Sequence, residues 1–115
     1  MVETFVSELL HALADVTLIE TVAYQTEGGI AKGRAYFTLS QALFLAFYFN
    51  KVTGTLAFAL IRDRIRIWGI DCDTIRGWHK HPLDQPEHHI ATEELSVVDI
   101  VGQLNEVLDT LAKHQ

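Results

Sequence analysis

Residues 42–49 read Ala-Leu-Phe-Leu-Ala-Phe-Tyr-Phe, and this unbroken apolar stretch decides the fold. Aromatic side chains favour strands, and the stretch is much too short to cross a bilayer. Because every position is apolar, it predicts a central strand that is covered on both faces. Residues 50–54 follow as Asn-Lys-Val-Thr-Gly, which is typical of a hairpin loop. Residues 55–61 are therefore predicted to return as the next strand.

Two more strands and a helix are predicted upstream of this hairpin. Residues 16–24 are rich in β-branched side chains, and residues 32–37 alternate between polar and apolar or small positions. Glu27-Gly28-Gly29 marks the turn between them. Before the first strand, apolar side chains recur at helical spacing: Val2, Phe5, Val6, Leu9 and Leu13. They predict an amphipathic helix that ends near Asp15.

Downstream of the hairpin, the sequence predicts a strand, a long loop and a second helix. A tight turn or bend at residues 62–64 leads into a strand that closes at Asp71, with Arg64, Arg66 and Trp68 on its outer face. Residues 72–95 show no periodicity and predict a loop. Ser96 with Asp99 forms a capping box for the final helix. The buried stripe of that helix consists of Val97, Ile100, Val101, Leu104, Val107, Leu108 and Leu111.

The order of these elements predicts an α+β fold. Consecutive strands joined by short loops form an antiparallel meander, here of four to five strands. An N-terminal and a C-terminal helix flank the meander and pack on it, which makes two layers. At 115 residues, the chain 1–115 is expected to be a single domain.

Composition limits the classes of function. The net charge of −6 argues against broad, nonspecific binding to nucleic acid, although residues 51–90 hold six of the nine basic residues. The apolar stretches are too short to span a membrane, and the N-terminus lacks the basic region of a signal peptide. The single cysteine, Cys72, forms no internal disulfide, which fits a reducing cytoplasm. We therefore expect a cytoplasmic protein with no membrane partner.

Four of the six histidines lie within residues 79–89. Two imidazoles near neutral pH suit RNA cleavage, where a base activates the 2′-hydroxyl and an acid protonates the leaving oxygen. His79 or His81 would pair with His88 or His89 for these two steps. Cations are needed for the charge that develops on phosphorus, and tryptophans provide stacking surfaces for bases. The candidates for these two roles are Arg64, Arg66, Arg76 and Lys80, and Trp68 and Trp78.

Two alternatives remain open for the same segment. His79 and His81 form an His-x-His pair whose rings point to one side of an extended backbone. With His88 or His89 and an acid such as Asp71, Asp73 or Asp84, they would make a metal site. The spacing matches no standard metal motif, so no metal or other cofactor is assigned. The second alternative is a surface loop whose histidines cap backbone groups.

The last two-thirds of the chain resembles the TumE-type toxin group and its uncharacterised relatives. The resemblance lies in residues 67–71 (Ile-Trp-Gly-Ile-Asp), residues 77–82 (Gly-Trp-His-Lys-His-Pro), Pro86 and His88-His89. It implies a strand meander that leads to an aromatic-x-x-Asp motif, then a histidine-rich loop and a C-terminal helix. It also implies a ribonuclease toxin that an antitoxin protein neutralises. The positions matching the family motif are Asp71, His79, His81, and His88 or His89.

Our leading hypothesis is therefore a toxin-like ribonuclease whose histidine-rich loop acts as general acid and base. The alternative is a non-catalytic module that self-associates or binds a protein partner, with a possible structural metal site in the histidine loop. A homodimer fits both hypotheses, because an exposed edge strand has to be covered.

Overall fold

The computed structural model describes residues 2–113 and contains two helices and one sheet of seven strands. The elements are α1 (Val2–Ala14), β1 (Ile19–Glu27), β2 (Ile30–Phe37), β3 (Ser40–Asn50), β4 (Thr55–Arg62), β5 (Ile65–Asp73), β6 (Gly77–His81), β7 (Ile90–Ala91) and α2 (Val97–Lys113). Each strand pairs antiparallel with its neighbours in sequence, in the order β1 to β7. Within residues 2–113, neither helix is long and apolar enough to cross a membrane.

The predicted α+β class and the two-layer meander with terminal helices are confirmed. The sheet has seven strands instead of four to five, because part of residues 72–95 is not loop: β5 continues to Asp73, and β6 and β7 follow. Strand β6 reads Gly-Trp-His-Lys-His, so it lacks the apolar alternation by which strands are recognised. Its buried positions are occupied by histidines, which made this strand look like a polar loop.

Both helices lie on one face of the sheet, which we call the helix-side face. On β3, Leu43, Leu45 and Phe47 point to this face and are at most 3% exposed. Phe5 of α1 stacks on Phe49 with ring centroids 4.7 Å apart. The stripe residues of α2 lie in the same core.

The opposite face, which we call the open face, is only partly covered. On β3 it carries Phe44, Ala46 and Tyr48, all half-buried. The expectation that residues 42–49 are covered on both faces is therefore wrong. On this face Phe44 is flanked by Tyr36, with ring centroids 6.0 Å apart, and by the Arg34 guanidinium.

The helix boundaries agree with the sequence. Helix α1 ends at Ala14, next to the expected end at Asp15. At the start of α2, the backbone N–H of Asp99 donates to Ser96 Oγ at 3.1 Å, and the N–H of Ser96 donates to Asp99 Oδ2 at 3.3 Å. These reciprocal bonds satisfy donors that the first helical turn leaves unpaired, so the predicted capping box is confirmed.

An irregularity in β5 decides which side chains reach the open face. The turn before it places Asp63 and Arg64 at φ of 52° and 70°, as a tight hairpin requires. Leu60 then pairs with Trp68 but Ile61 with Arg66, so Ile67 is an extra residue. This bulge puts Arg66 on the same face as Asp71. Trp68 is turned into the core, where it is 1% exposed. The predicted outer face with Trp68 beside Arg66 is therefore wrong.

Gly33 in β2 sits where no side chain fits, and we expect Gly33→Ala to destabilise the protein by about 1–3 kcal/mol. A Cβ there would lie 2.3 Å from Ala23 O and 2.8 Å from Phe47 Cζ. Urea unfolding measures the change in the free energy of unfolding. The matched control is Gly102→Ala in α2, where a Cβ meets nothing within 4 Å and which should stabilise by about 1 kcal/mol. Equal unfolding midpoints for the two variants would contradict the close strand packing at Gly33.

Candidate functional site

The carboxylate of Asp71 lies close to three other side chains where strands β5 and β6 pair. Its Oδ2 lies 3.3 Å from Arg66 Nη1, 3.4 Å from His79 Nε2 and 3.2 Å from His81 Nε2. The Asp71 side chain is only 16% exposed. We call Asp71, His79, His81 and His89 the histidine–carboxylate cluster.

The register of two strands builds this arrangement. Asp71 pairs with His79, and Gly69 pairs with His81, so all four positions lie on the open face. Gly69 has no side chain, and the guanidinium of Arg66 crosses the vacant space: a Cβ on Gly69 would lie 3.5 Å from Arg66 Cζ. A glycine and a bulge in β5 therefore allow an arginine and two histidines to reach one carboxylate.

His79 and His81 are both buried, at 4% and 5% exposed. Their Nδ1 atoms lie 3.2 Å from Gly77 O and 2.9 Å from Pro86 O. A carbonyl only accepts, so each Nδ1 carries the proton and donates it. The Nε2 of a neutral ring then has a free lone pair, and both lone pairs are on the side of Asp71. Within residues 2–113, His81 Nε2 makes no hydrogen bond despite its proximity to Oδ2, and Asp71 Oδ1 has no partner either.

His89 lies over these two rings and is exposed. Its ring centroid is 4.5 Å from that of His81 and 5.3 Å from that of His79. Arg76 Nη1 lies 2.8 Å from His89 Nδ1, so the guanidinium donates to this nitrogen. Partial desolvation and then the positive charge of Arg76 lower the pKa of His89. His89 and Arg76 are thus the most exposed parts of the site, and the Arg66 side chain is 35% exposed.

The segment that carries His89 is fixed by its own backbone. The N–H of Gln85 donates to Pro82 O, and that of His88 donates to Gln85 O, in two successive turns. The bond from His81 to Pro86 O ties these turns to the sheet. The loop therefore acts as a structured cover over His79 and His81.

Asp73 organises the turn that carries Arg76. Its Oδ1 accepts the backbone N–H groups of Arg76, at 2.6 Å, and of Ile75, at 2.9 Å. The Arg76 bond is the main cause of the lowered pKa of Asp73. Burial, followed by the charge of Asp73, raises the pKa of the Cys72 thiol. A raised thiol pKa leaves less of the reactive thiolate, which makes Cys72 a poor nucleophile.

Several residues predicted for the site do not join it. Lys80 pairs with the core residue Ile70, so it lies on the helix-side face, opposite His79 and His81. Trp78 packs against the core, and Trp68 is buried within it, so Trp68 has no free face for a base. His88 is exposed beside Glu87, and Arg64 lies in the exposed hairpin turn.

The cluster and the two arginines that contact it bring together six of the predicted residues: Asp71, His79, His81, His89, Arg66 and Arg76. Sequence analysis missed the carbonyls of Gly77 and Pro86 and the open position at Gly69. Carbonyl partners leave no mark in a sequence. Gly69, between Trp68 and Ile70 in a predicted strand, was a visible signal of close approach.

A second feature of the open face was also missed. A groove of about 590 Å³ lies over β1–β3, lined among others by Lys32, Arg34, Tyr36 and Tyr48. The guanidinium of Arg34 stacks over Phe44 at 4.5 Å from its centroid. The groove thus combines cationic and aromatic side chains.

The groove and the cluster share one face of the sheet. Arg34 pairs with Ala46, Ala46 with Ala59, Ala59 with Gly69, and Gly69 with His81. Directly paired residues lie on the same face, so this row runs from the groove to the cluster across about 19 Å. Its middle consists of Ala46, Ala59 and Gly69, so a shallow path runs over the two alanines to the Arg66 guanidinium, which covers Gly69.

The cluster also has the composition of a metal centre. One ring nitrogen from each of His79, His81 and His89 lies within 4.8 Å of the others. Imidazole nitrogens with a carboxylate are ligands that zinc and related transition metals accept.

Comparisons of this chain with protein-family models, with curated proteins and with solved structures found no match.

Proposed function

We propose that this protein is a ribonuclease-like enzyme that cleaves single-stranded RNA at the histidine–carboxylate cluster. The observation that carries the proposal is that the groove and the cluster lie on the same face of the sheet. Three imidazoles, one carboxylate and two guanidiniums meet at the end of a path that begins in a cationic, aromatic groove. Guanidiniums and stacking rings are the groups that hold a phosphate backbone and its bases.

The groove fits the substrate by charge and by shape. Lys32 and Arg34 offer positive charge to phosphates although the whole chain has a net charge of −6. Tyr36 and Tyr48 offer ring faces on which bases of any sequence can stack. A single strand lying along the row from Arg34 to Ala59 would bring a phosphodiester to Arg66, Arg76 and His89.

The proposed reaction is attack by the 2′-oxygen of RNA on the adjacent phosphorus. The new O–P bond forms as the P–O5′ bond breaks, giving a 2′,3′-cyclic phosphate and a 5′-hydroxyl end. In this proposal, Arg76 leaves His89 to bind the phosphate, which frees His89 Nδ1 to take the 2′-hydroxyl proton. Water supplies the proton that the 5′-oxygen gains.

The burial of His79 and His81 changes the roles expected from the sequence. Substrate does not reach these two rings while the 82–89 segment covers them, so they do not act as the exposed acid and base. They are positioning residues in this proposal: with Arg66 they fix Asp71 beneath His89. His89 is the proton-transfer group, and Arg66 and Arg76 stabilise the charge on phosphorus.

The toxin resemblance supplies the biological setting of the proposal. A cytoplasmic ribonuclease toxin needs a neutralising partner, and an antitoxin that covers the open face would block both groove and cluster. Self-association is compatible with this setting, because β1 is an edge strand of nine residues and is largely exposed.

The test is cleavage of a short single-stranded RNA labelled at both ends. We expect cleavage of the RNA but not of the DNA of the same sequence, with 2′,3′-cyclic phosphate ends identified by mass spectrometry. Arg76→Ala should reduce the cleavage rate by about 100-fold, the usual size of a lost charge-stabilising contact. Arg62→Ala, an exposed arginine outside the cluster, is the matched control and should keep the rate. Intact RNA, or equal loss in both variants, would reject the proposed function.

A further inference from the structure

Three hydrogen-bond acceptors converge in the buried part of the cluster. His79 and His81 each donate through Nδ1, and their Nε2 atoms lie 3.4 Å and 3.2 Å from Asp71 Oδ2. Acceptors that face each other at such distances repel unless a positive charge lies between them. Arg66 donates to Oδ2, but it leaves His81 Nε2 and Asp71 Oδ1 without partners.

We propose that His79, His81 and Asp71 bind a divalent transition-metal ion of the zinc type. In a tetrahedral zinc site with bonds of about 2.0–2.1 Å, neighbouring ligand atoms are about 3.3–3.4 Å apart. The two nitrogen–oxygen edges of the cluster, 3.4 Å and 3.2 Å, have this length already. Two imidazoles and one carboxylate are a common donor set for such ions.

The surroundings of the three ligands are those of a prepared metal site. Gly77 O and Pro86 O accept the Nδ1 protons of His79 and His81, which fixes each ring with Nε2 free for the ion. When the ion takes Oδ2, the unpartnered Oδ1 of Asp71 becomes the acceptor for Arg66. No residue outside the present contacts has to move into the core.

Protonation of both rings is the competing way to relieve the repulsion. It would place two imidazolium ions and the Arg66 guanidinium around one carboxylate, in a region where both rings are about 95% removed from solvent. Two protons and one divalent ion bring the same charge, so the geometry decides between them. A proton joins one ring to Oδ2, whereas one ion bonds directly to all three acceptors.

His89 lies over the two ligand rings, with its ring centroid 4.5 Å from that of His81. Its Nδ1 accepts a hydrogen bond from Arg76, so the proposal does not count it among the three ligands. Three protein ligands and one open position are typical of catalytic zinc, where water or a substrate oxygen binds. The metal proposal does not depend on RNA cleavage, since it follows from the three acceptors alone.

The experiment is metal analysis of the intact chain, refolded with Zn²⁺ or Co²⁺ and dialysed. We expect one ion per chain by elemental analysis, and the Co²⁺ protein should show the strong visible absorption of tetrahedral cobalt. His79→Ala and His81→Ala should weaken binding by at least roughly 100-fold, because even outer-shell changes cost about 10- to 100-fold. Asp71→Asn, which keeps the shape of the side chain, should weaken binding without a loss of folding.

The matched control is His88→Ala, which removes an exposed histidine from the same segment but not from the cluster. It should bind one ion with unchanged affinity, and circular dichroism confirms that each variant is folded. Less than about a tenth of an ion per wild-type chain, or the same affinity in Asp71→Asn as in wild type, would overturn the proposal. Metal uptake without RNA cleavage would reject the proposed function but not the metal site. RNA cleavage by a protein that binds no metal, measured in chelator, would reject the metal site but not the proposed function.

Discussion

Asp71→Asn is expected to lower the rate of RNA cleavage by about 100- to 1,000-fold. The carboxylate lies within 3.4 Å of Arg66, His79 and His81 at once, so its negative charge holds three groups in place. Asparagine has nearly the same shape but no charge. Arg66 then loses its negatively charged partner, and the side chains of His79 and His81 beneath His89 are no longer held in place. The measurement is the single-turnover rate on the labelled RNA, with saturating protein.

Asp84→Asn is the control for this substitution. Asp84 is exposed, belongs to the covering segment and is outside the cluster, so the same loss of charge should leave the rate unchanged. Binding to an uncleavable RNA with a 2′-deoxy residue at the scissile position separates the two possible failures. We expect nearly wild-type binding by Asp71→Asn. An unchanged cleavage rate in this variant would show that the cluster does not perform the reaction.

Phe58→Ala is expected to reduce the free energy of unfolding by about 3–5 kcal/mol. Phe58 lies on β4, the middle strand of seven, and is 0% exposed. Its ring centroid is 6.1 Å from that of Phe5, so it joins the sheet to α1. Truncation removes a large apolar side chain from contact and leaves a cavity that the surrounding strands fill only partly. Urea unfolding followed by circular dichroism gives the change.

Ile75→Ala is the apolar control for the same measurement. Ile75 is 92% exposed, and its truncation should change stability by less than about 0.5 kcal/mol. A loss of less than about 1 kcal/mol in Phe58→Ala would place the core elsewhere than between β4 and the helices. RNA cleavage per folded molecule should be equal to wild type in both variants, since neither side chain touches the cluster.

The two helices and the first five strands could be predicted because the hydrophobic effect alone explains the spacing of their apolar residues. Leu9 and Leu13 repeat at helical spacing, and both are buried at 1% exposure. Ser96 and Asp99 form the bonds that their spacing indicates. In these segments, the apolar positions are the ones that face the core, so the hydrophobic effect sets both the pattern and the structure.

Strand β6 could not be predicted on the same basis. Its two buried positions, His79 and His81, lie on the open face. They are buried by their contacts with Asp71, two carbonyls and the 82–89 segment. The pattern rules recognise apolar burial, and they do not recognise burial by polar contacts. The orientation of Trp68 toward the core could not be predicted either. It follows from the bulge at Ile67, which shifts the pairing of β5 with β4.

The candidate site was predicted in its members more than in its roles. Asp71, His79, His81 and His89 come together as expected, and His89 rather than His88 joins them. Whether His88 or His89 joins the cluster depends on the backbone turns of residues 82–88. The sequence of this segment does not indicate those turns. The sequence does not show that His79 and His81 are buried whereas His89 is exposed, and this difference in burial separates their roles.

The sequential order of the strands also has a consequence for how the chain reaches its structure. Each strand finds its partner across a short connection, so the entropy lost on closing each loop is small. All members of the cluster lie between Arg66 and His89, and they meet as soon as β5 and β6 have paired. The distant encounters within residues 2–113 are those of α1 and α2 with each other and with the sheet, such as Phe5 of α1 with Phe49 of β3. We therefore expect the reactive centre to form early and the docking of the two terminal helices to be the slow step of folding.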